Sequence, residues 1–94
     1  MSRDLQDCRR EIDRVDRELL ALFARRMDLA AEVAAYKRDR GLPVLDSARE
    51  KEKLEAIRQG SPEGLGDYAV SLFSHLMELS RAYQHQLLDH TEER

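Results

Sequence analysis

Tryptophan is absent from this chain, and aromatic side chains make up only 5% of its 94 residues. It has two prolines and four glycines, and none of them comes before Gly41. So few breakers, set beside abundant Leu, Ala, Glu, Lys and Arg, favour long helices over a sheet. Cys8 is the single cysteine, which excludes an internal disulfide and any multi-cysteine metal site. No apolar run approaches the roughly 20 residues needed to cross a bilayer. The opening Met1-Ser2-Arg3-Asp4 leads into charged sequence with no apolar signal core. These absences predict a soluble, cytoplasmic protein. Neither sign of charge dominates: charged residues are 37% of the chain, both signs are interspersed, and the net charge is -3. That balance argues against a general nucleic-acid binder or a basic membrane arm. A Gly-rich phosphate loop, a His-Glu metal spacing and a Ser-His-Asp order that helices would bring together are missing too.

What is present is a helical pattern in a chain long enough for one domain, residues 1–94, and too short for two cores. From Leu5 the apolar residues recur at steps of three and four: Leu5, Cys8, Ile12, Val15, Leu19, Leu22, then Leu29, Val33 and Tyr36. Gly41, just after Arg38 and Arg40 and followed by Pro43, is a strong helix stop. One helix is therefore expected from about residue 4 to residue 40, roughly 54 Å long. A compact chain of this size has a radius of gyration near 12 Å. So long a helix must protrude, and its apolar stripe then needs cover from another chain. Length and periodicity alone predict an obligate dimer or a higher oligomer.

A second helix opens at Asp46 or Ser47, either of which can cap it, with Glu50 placed to close a capping box on Ser47. It runs to about residue 58. The stretch Gln59-Gly60-Ser61-Pro62-Glu63-Gly64-Leu65-Gly66 reads as the clearest loop. A third helix follows from about residue 67 to residue 88, with a tail over 89–94 that is expected to fray. The fold class is all-α, with a long first helix, a short second and a medium third. No internal repeat or low-complexity tract interrupts it.

Each helix carries polar residues where its pattern calls for apolar ones. Four residues past Leu22 the first stripe meets Arg26, and Lys37, eleven residues further on, returns to within about 20° of the same face. Arg9 lies about 100° round from Arg26 and roughly 25 Å away along the axis. On a straight helix those two cannot share a pocket within one chain, although they could across a dimer. On the third helix Ser80 and Gln84 interrupt the stripe Val70, Phe73, Met77 and Leu87, whereas Ala69, Leu72, Leu76, Leu79 and Tyr83 form a stripe that reads as plain core. Asp46, Arg49, Glu50 and Lys53 share a face of the second helix. Taken singly, an Arg on a stripe is a snorkelling side chain, and the second-helix set is a cap with surface ion pairs. Ser80 and Gln84 alone would be rim residues. Taken together they read as a pocket with several cations and neutral hydrogen-bonding groups. Arg grips carboxylates bidentately and Lys supplies a mobile point charge, so the fitting ligand is a small anion with more than one carboxylate. His75, His85 and His90 are expected at the surface. An enzyme of this kind works by positioning and electrostatics.

The run Arg9-Arg10-Glu11-Ile12-Asp13-Arg14-Val15-Asp16, with Leu19-Leu20 and Arg25-Arg26, resembles the opening helix of the all-α chorismate mutases. Val33-Ala34-Ala35-Tyr36-Lys37, Leu42-Pro43-Val44 with Asp46, Arg49-Glu50, and Ser80-Arg81-Ala82-Tyr83-Gln84 continue the resemblance over about residues 5–88. The ordered set is specific where no single fragment is. The resemblance implies an intertwined homodimeric helix bundle that converts chorismate to prephenate, without metal or cofactor. It implies that Arg26 and Arg9 from the partner chain clamp the substrate carboxylates, that Arg49 supports them, and that Ser80 lies near a carboxylate. Asp46 and Glu50 would sit beside the ring hydroxyl, while Lys37 and Gln84 donate to the ether oxygen. The catalytic set would then be Lys37, Gln84, Glu50 and Arg26. Some members carry Glu in place of Gln84, which must be protonated to donate; an amide donates at any pH, so a flat rate between about pH 5 and 8 is expected.

No fused dehydratase or dehydrogenase domain is expected, and the 59–67 loop gives no ground for an allosteric site. The nearest alternatives on the same fold are an isochorismate pyruvate-lyase and an amino-deoxychorismate mutase. A non-catalytic helical dimerisation module, with Arg9, Arg26 and Lys37 as solvated charges, is the alternative of another class.

Overall fold

The computed structural model describes residues 4–92, which form three helices: α1 (Leu5–Arg40), α2 (Ser47–Gly60) and α3 (Gly66–Glu92). No strand occurs among the described residues, and none of the helices is long and apolar enough to cross a membrane. The first helix begins where Asp4 caps it, its carboxylate accepting from the Asp7 amide at 2.8 Å. It ends at Gly41, whose φ of 66° is left-handed. There the Leu42 amide donates to the Lys37 carbonyl at 2.8 Å and the Gly41 amide to Arg38 at 3.2 Å. That pair of bonds is a Schellman cap, which needs a left-handed residue at its turn.

α2 is capped by Asp46, which accepts from the Arg49 amide at 3.0 Å. The expected capping box on Ser47 does not form, because the Glu50 carboxylate turns away to Arg81 of α3. α2 also continues through Gly60. Its stop is Pro62, which holds Ser61 extended (φ -78°, ψ 145°), as the ring of a proline does to the residue before it. The connection to α3 is correspondingly tighter than expected. It is closed by the Leu65 amide on the Pro62 carbonyl at 3.0 Å and by Arg58 on Asp67 at 2.5 Å. The Asp67 hydrogen bond raises the Arg58 pKa above the ordinary guanidinium value. At the other end α3 continues past residue 89. With no Gly or Pro to stop it, it stays helical to Glu92, and residues 93–94 lie outside the described ones.

α3 packs against both other helices, while α1 and α2 make no direct packing with each other. The result is elongated, 59 × 29 × 14 Å, with a radius of gyration of 17.1 Å rather than the roughly 12 Å of a compact chain. The buried side chains among the described residues are Ala30, Ala34, Val44, Met77, Ser80 and Gln84. None lies in the first half of α1. The α1 stripe from Leu5 to Leu22 is exposed, Leu5 by 62% and Leu22 by 60%. On α3 the interrupted stripe is the buried one. Of the stripe expected as plain core, Ala69, Leu76 and Tyr83 are half-buried, while Leu72 and Leu79 are exposed in the single chain. The two stripes are equally periodic, and the interrupted one is the one that faces the end of α1.

Candidate functional site

The three helices leave a cavity of about 400 Å³ between them, within the usual range for a small-molecule pocket. Its apolar floor comes from Leu29, Ala30 and Val33 of α1, Val44 of the connection and Met77 of α3. Arg26 and Lys37 enter from α1, Asp46, Arg49, Glu50 and Lys53 from the first two turns of α2, and Ser80, Arg81 and Gln84 from α3. Five cations thus face two carboxylates, although the whole chain has a net charge of -3. A second hollow, on the α2 face around Leu54 and Val70, holds two cations, Lys51 and Arg58, against Glu50 and Glu55. Only the first has the charge imbalance that an anionic ligand requires.

Among the described residues, most of the polar groups in the cavity are held by a neighbour, and Arg26 is not. Lys37 lies at the Schellman-capped end of α1, and its Nζ donates to the Val44 carbonyl at 2.8 Å. An ammonium has three donors, so two remain for a ligand. Ser80 and Gln84 are buried one turn apart, with Gln84 Nε2 donating to Ser80 Oγ at 3.0 Å. The second proton of that amide is uncommitted, and Gln84 Oε1 has no hydrogen-bond partner among the described residues. A buried amide left half-satisfied costs about 1–3 kcal/mol, so this pair is organised for something other than core packing. Arg26 makes no hydrogen bond or ion pair among the described residues. Both carboxylates are already engaged, Asp46 by the α2 backbone and Glu50 by Arg81.

Residues 8–85 match the family described as chorismate mutase type II. The chain belongs to this family. A chorismate mutase of Methanocaldococcus jannaschii is 35% identical over 94 residues, which cover 98% of this chain and 95% of that protein. The 4-amino-4-deoxychorismate mutase of Streptomyces venezuelae is 35% identical over 72 residues, 74% of this chain and 70% of its own length. Among solved structures, form II of the chorismate mutase from Thermus thermophilus superposes with a TM-score of 0.83 at 30% identity, covering 86% of this chain and 93% of that one.

In this chorismate mutase family member the sequence-derived residues fall into two groups. Arg26, Lys37, Asp46, Arg49, Glu50, Ser80 and Gln84 line one cavity. Arg9 does not: it is exposed on the protruding half of α1. The face pattern brought Lys53 to the cavity rim as well. Ser80 and Gln84 are wall rather than rim, since both are buried. His75 and His85 are exposed as expected, and the side chain of His90 lies outside the described ones. Arg81 was given no role from sequence. It sits about 100° round the helix from Ser80 and about 60° from Gln84, and its partner Glu50 is 31 residues away, beyond any local spacing rule.

Proposed function

We infer that this chain catalyses the rearrangement of chorismate to prephenate, as an intertwined homodimer of one domain per chain with two equivalent cavities. The observation that carries the reading is the cavity itself, cationic in excess yet with both carboxylates already partnered. A dicarboxylate is the ligand such a surplus attracts. Arg26, unpartnered among the described residues, takes one carboxylate together with Arg9 of the second chain, and Arg49 and Ser80 flank the anion. The exposed α1 stripe supplies the surface through which two chains would interlock.

The reaction is an intramolecular [3,3] shift in which ether cleavage runs ahead of carbon–carbon bond formation. Negative charge therefore gathers on the ether oxygen and positive character on the ring. Lys37 Nζ and the Gln84 amide meet that oxygen as donors already in place, which favours the transition state over the ground state. The cationic clamp holds the enolpyruvyl arm over the ring, replacing a floppy approach by a fixed one. Glu50 and Asp46 accept from the ring hydroxyl, Glu50 doing so while its charge is answered by Arg81. No proton is transferred and no covalent intermediate forms.

Chorismate consumption followed by ultraviolet absorbance, with the product separated by chromatography, tests this directly. Purified protein is expected to form prephenate, and Lys37→Ala to lower kcat by about 10²–10³, the usual loss for one such donor. A folded dimer that leaves chorismate untouched would overturn the reading, and turnover of isochorismate to salicylate and pyruvate would replace it.

A further inference from the structure

Among the described residues, the Glu50–Arg81 pair is the ion pair that ties α2 to α3 within the cavity wall, both partners being only part-exposed. Nothing in the rearrangement calls for it. The fifth cation adds to a positive surplus that Arg26, Lys37, Arg49 and Lys53 already provide for the carboxylates of the substrate. Its effect falls on Glu50. An ionised carboxylate has about four lone-pair positions, so Glu50 can hold Arg81 and still accept a hydrogen bond from a neutral O–H. What it no longer offers is uncompensated negative charge. Asp46 is likewise committed to the α2 N-terminus, where it accepts from the Arg49 amide.

We propose that Arg81 is a specificity-determining, positioning residue: by compensating Glu50 it makes the cavity accept a ring bearing a neutral hydroxyl and refuse one bearing an ammonium there. This rests on the reading above that the ring substituent lies beside Asp46 and Glu50. A 4-amino-4-deoxy substrate carries a cation at that position in neutral water. In this cavity it would meet five cations and two carboxylates that are both already answered. Removing the Arg81 charge lowers the repulsion and releases Glu50 as a counter-ion in the same step.

The test compares kcat/KM for 4-amino-4-deoxychorismate and chorismate in one preparation of the full chain. Their ratio does not depend on the fraction folded. Arg81→Met is expected to raise the amino-to-hydroxyl ratio by roughly tenfold or more, the scale of one hydrogen bond to a charged group. Arg81→Lys, which keeps the charge, is expected to hold the ratio near that of the parent, and adding Glu50→Gln to Arg81→Met to cancel the gain. Arg81→Gln, which keeps a donor across the α2–α3 contact, carries the test should Arg81→Met lose its helical fold. An unchanged ratio in the neutral variants, or an equal rise in Arg81→Lys, overturns the proposal while prephenate formation by the parent keeps the site reading intact. A parent that makes no prephenate overturns the site reading instead.

Discussion

In the proposed rearrangement, Gln84 is where the chemistry narrows to a single functional group. Its amide is buried, tied on one side to Ser80 Oγ at 3.0 Å and left with an unpartnered Oε1 among the described residues. A carboxamide neither gains nor loses a proton in ordinary buffers, so its donor is present throughout. Wild-type kcat is therefore expected to stay flat between about pH 5 and 8. In Gln84→Glu the same position donates only when its carboxyl is protonated. As pH rises the carboxylate forms, the donor is lost, and a negative charge is set against the oxygen that is itself becoming negative. Activity of this variant should survive at acid pH and fall by about 10²–10³ towards neutrality, the loss for one transition-state donor. Rate profiles of both proteins over that range decide the matter. Superimposable profiles would remove Gln84 from the chemistry, and a steep fall in the wild-type rate above about pH 6 would contradict an amide donor.

At the scale of elements, the end of α1 does two things at once. The Schellman cap stops the helix, and it fixes the turn from which Lys37 reaches the Val44 carbonyl. Gly41 has open space around it, so an added Cβ meets no neighbour and the penalty is purely the left-handed backbone. Gly41→Ala should destabilise the fold by about 1 kcal/mol, and Gly41→Asn by less, because Asn tolerates that region better. Denaturant titration separates them; equal losses would mean that the cap is not what sets the cost. The same local character explains what was legible beforehand. Stops, caps and polar interruptions at helical spacing lie within a few residues of one another, so the three helices followed from pattern, as did the gathering of Arg26, Lys37, Asp46, Arg49, Glu50, Ser80 and Gln84 round one cavity, which Arg9 does not line. The capping box failed because Glu50 had a competing partner 31 residues away. Ser80 and Gln84 are buried because their stripe is the face of α3 that meets the end of α1. Arg81 was missed because its role exists only once α2 and α3 are packed.

As a whole molecule, one chain is elongated and leaves half of α1 uncovered rather than closing into a globule. A row of leucines on the protruding half of α1 stands in solvent, and an apolar surface of that kind is characteristic of an interface. Arg9 shares that half of the helix, roughly 25 Å along the axis from Arg26. If each cavity takes Arg26 from one chain and Arg9 from the other, the two defects are separable. Dimers of Arg9→Ala alone, or of Arg26→Ala alone, have a damaged clamp at both sites. In a mixed dimer the cavity carrying the Arg26 of the first variant receives the intact Arg9 of the second, and the other cavity collects both defects. Denaturing equal amounts of the two variants together and refolding them makes half of the dimers mixed if assembly is random. Each mixed dimer has one whole site in two, so activity should recover to about a quarter of wild type. Mixing the variants without denaturation should recover activity only as fast as chains exchange. No recovery after co-refolding, with dimers shown to have formed, would mean that Arg9 does not serve the partner's cavity and that the clamp is built from one chain.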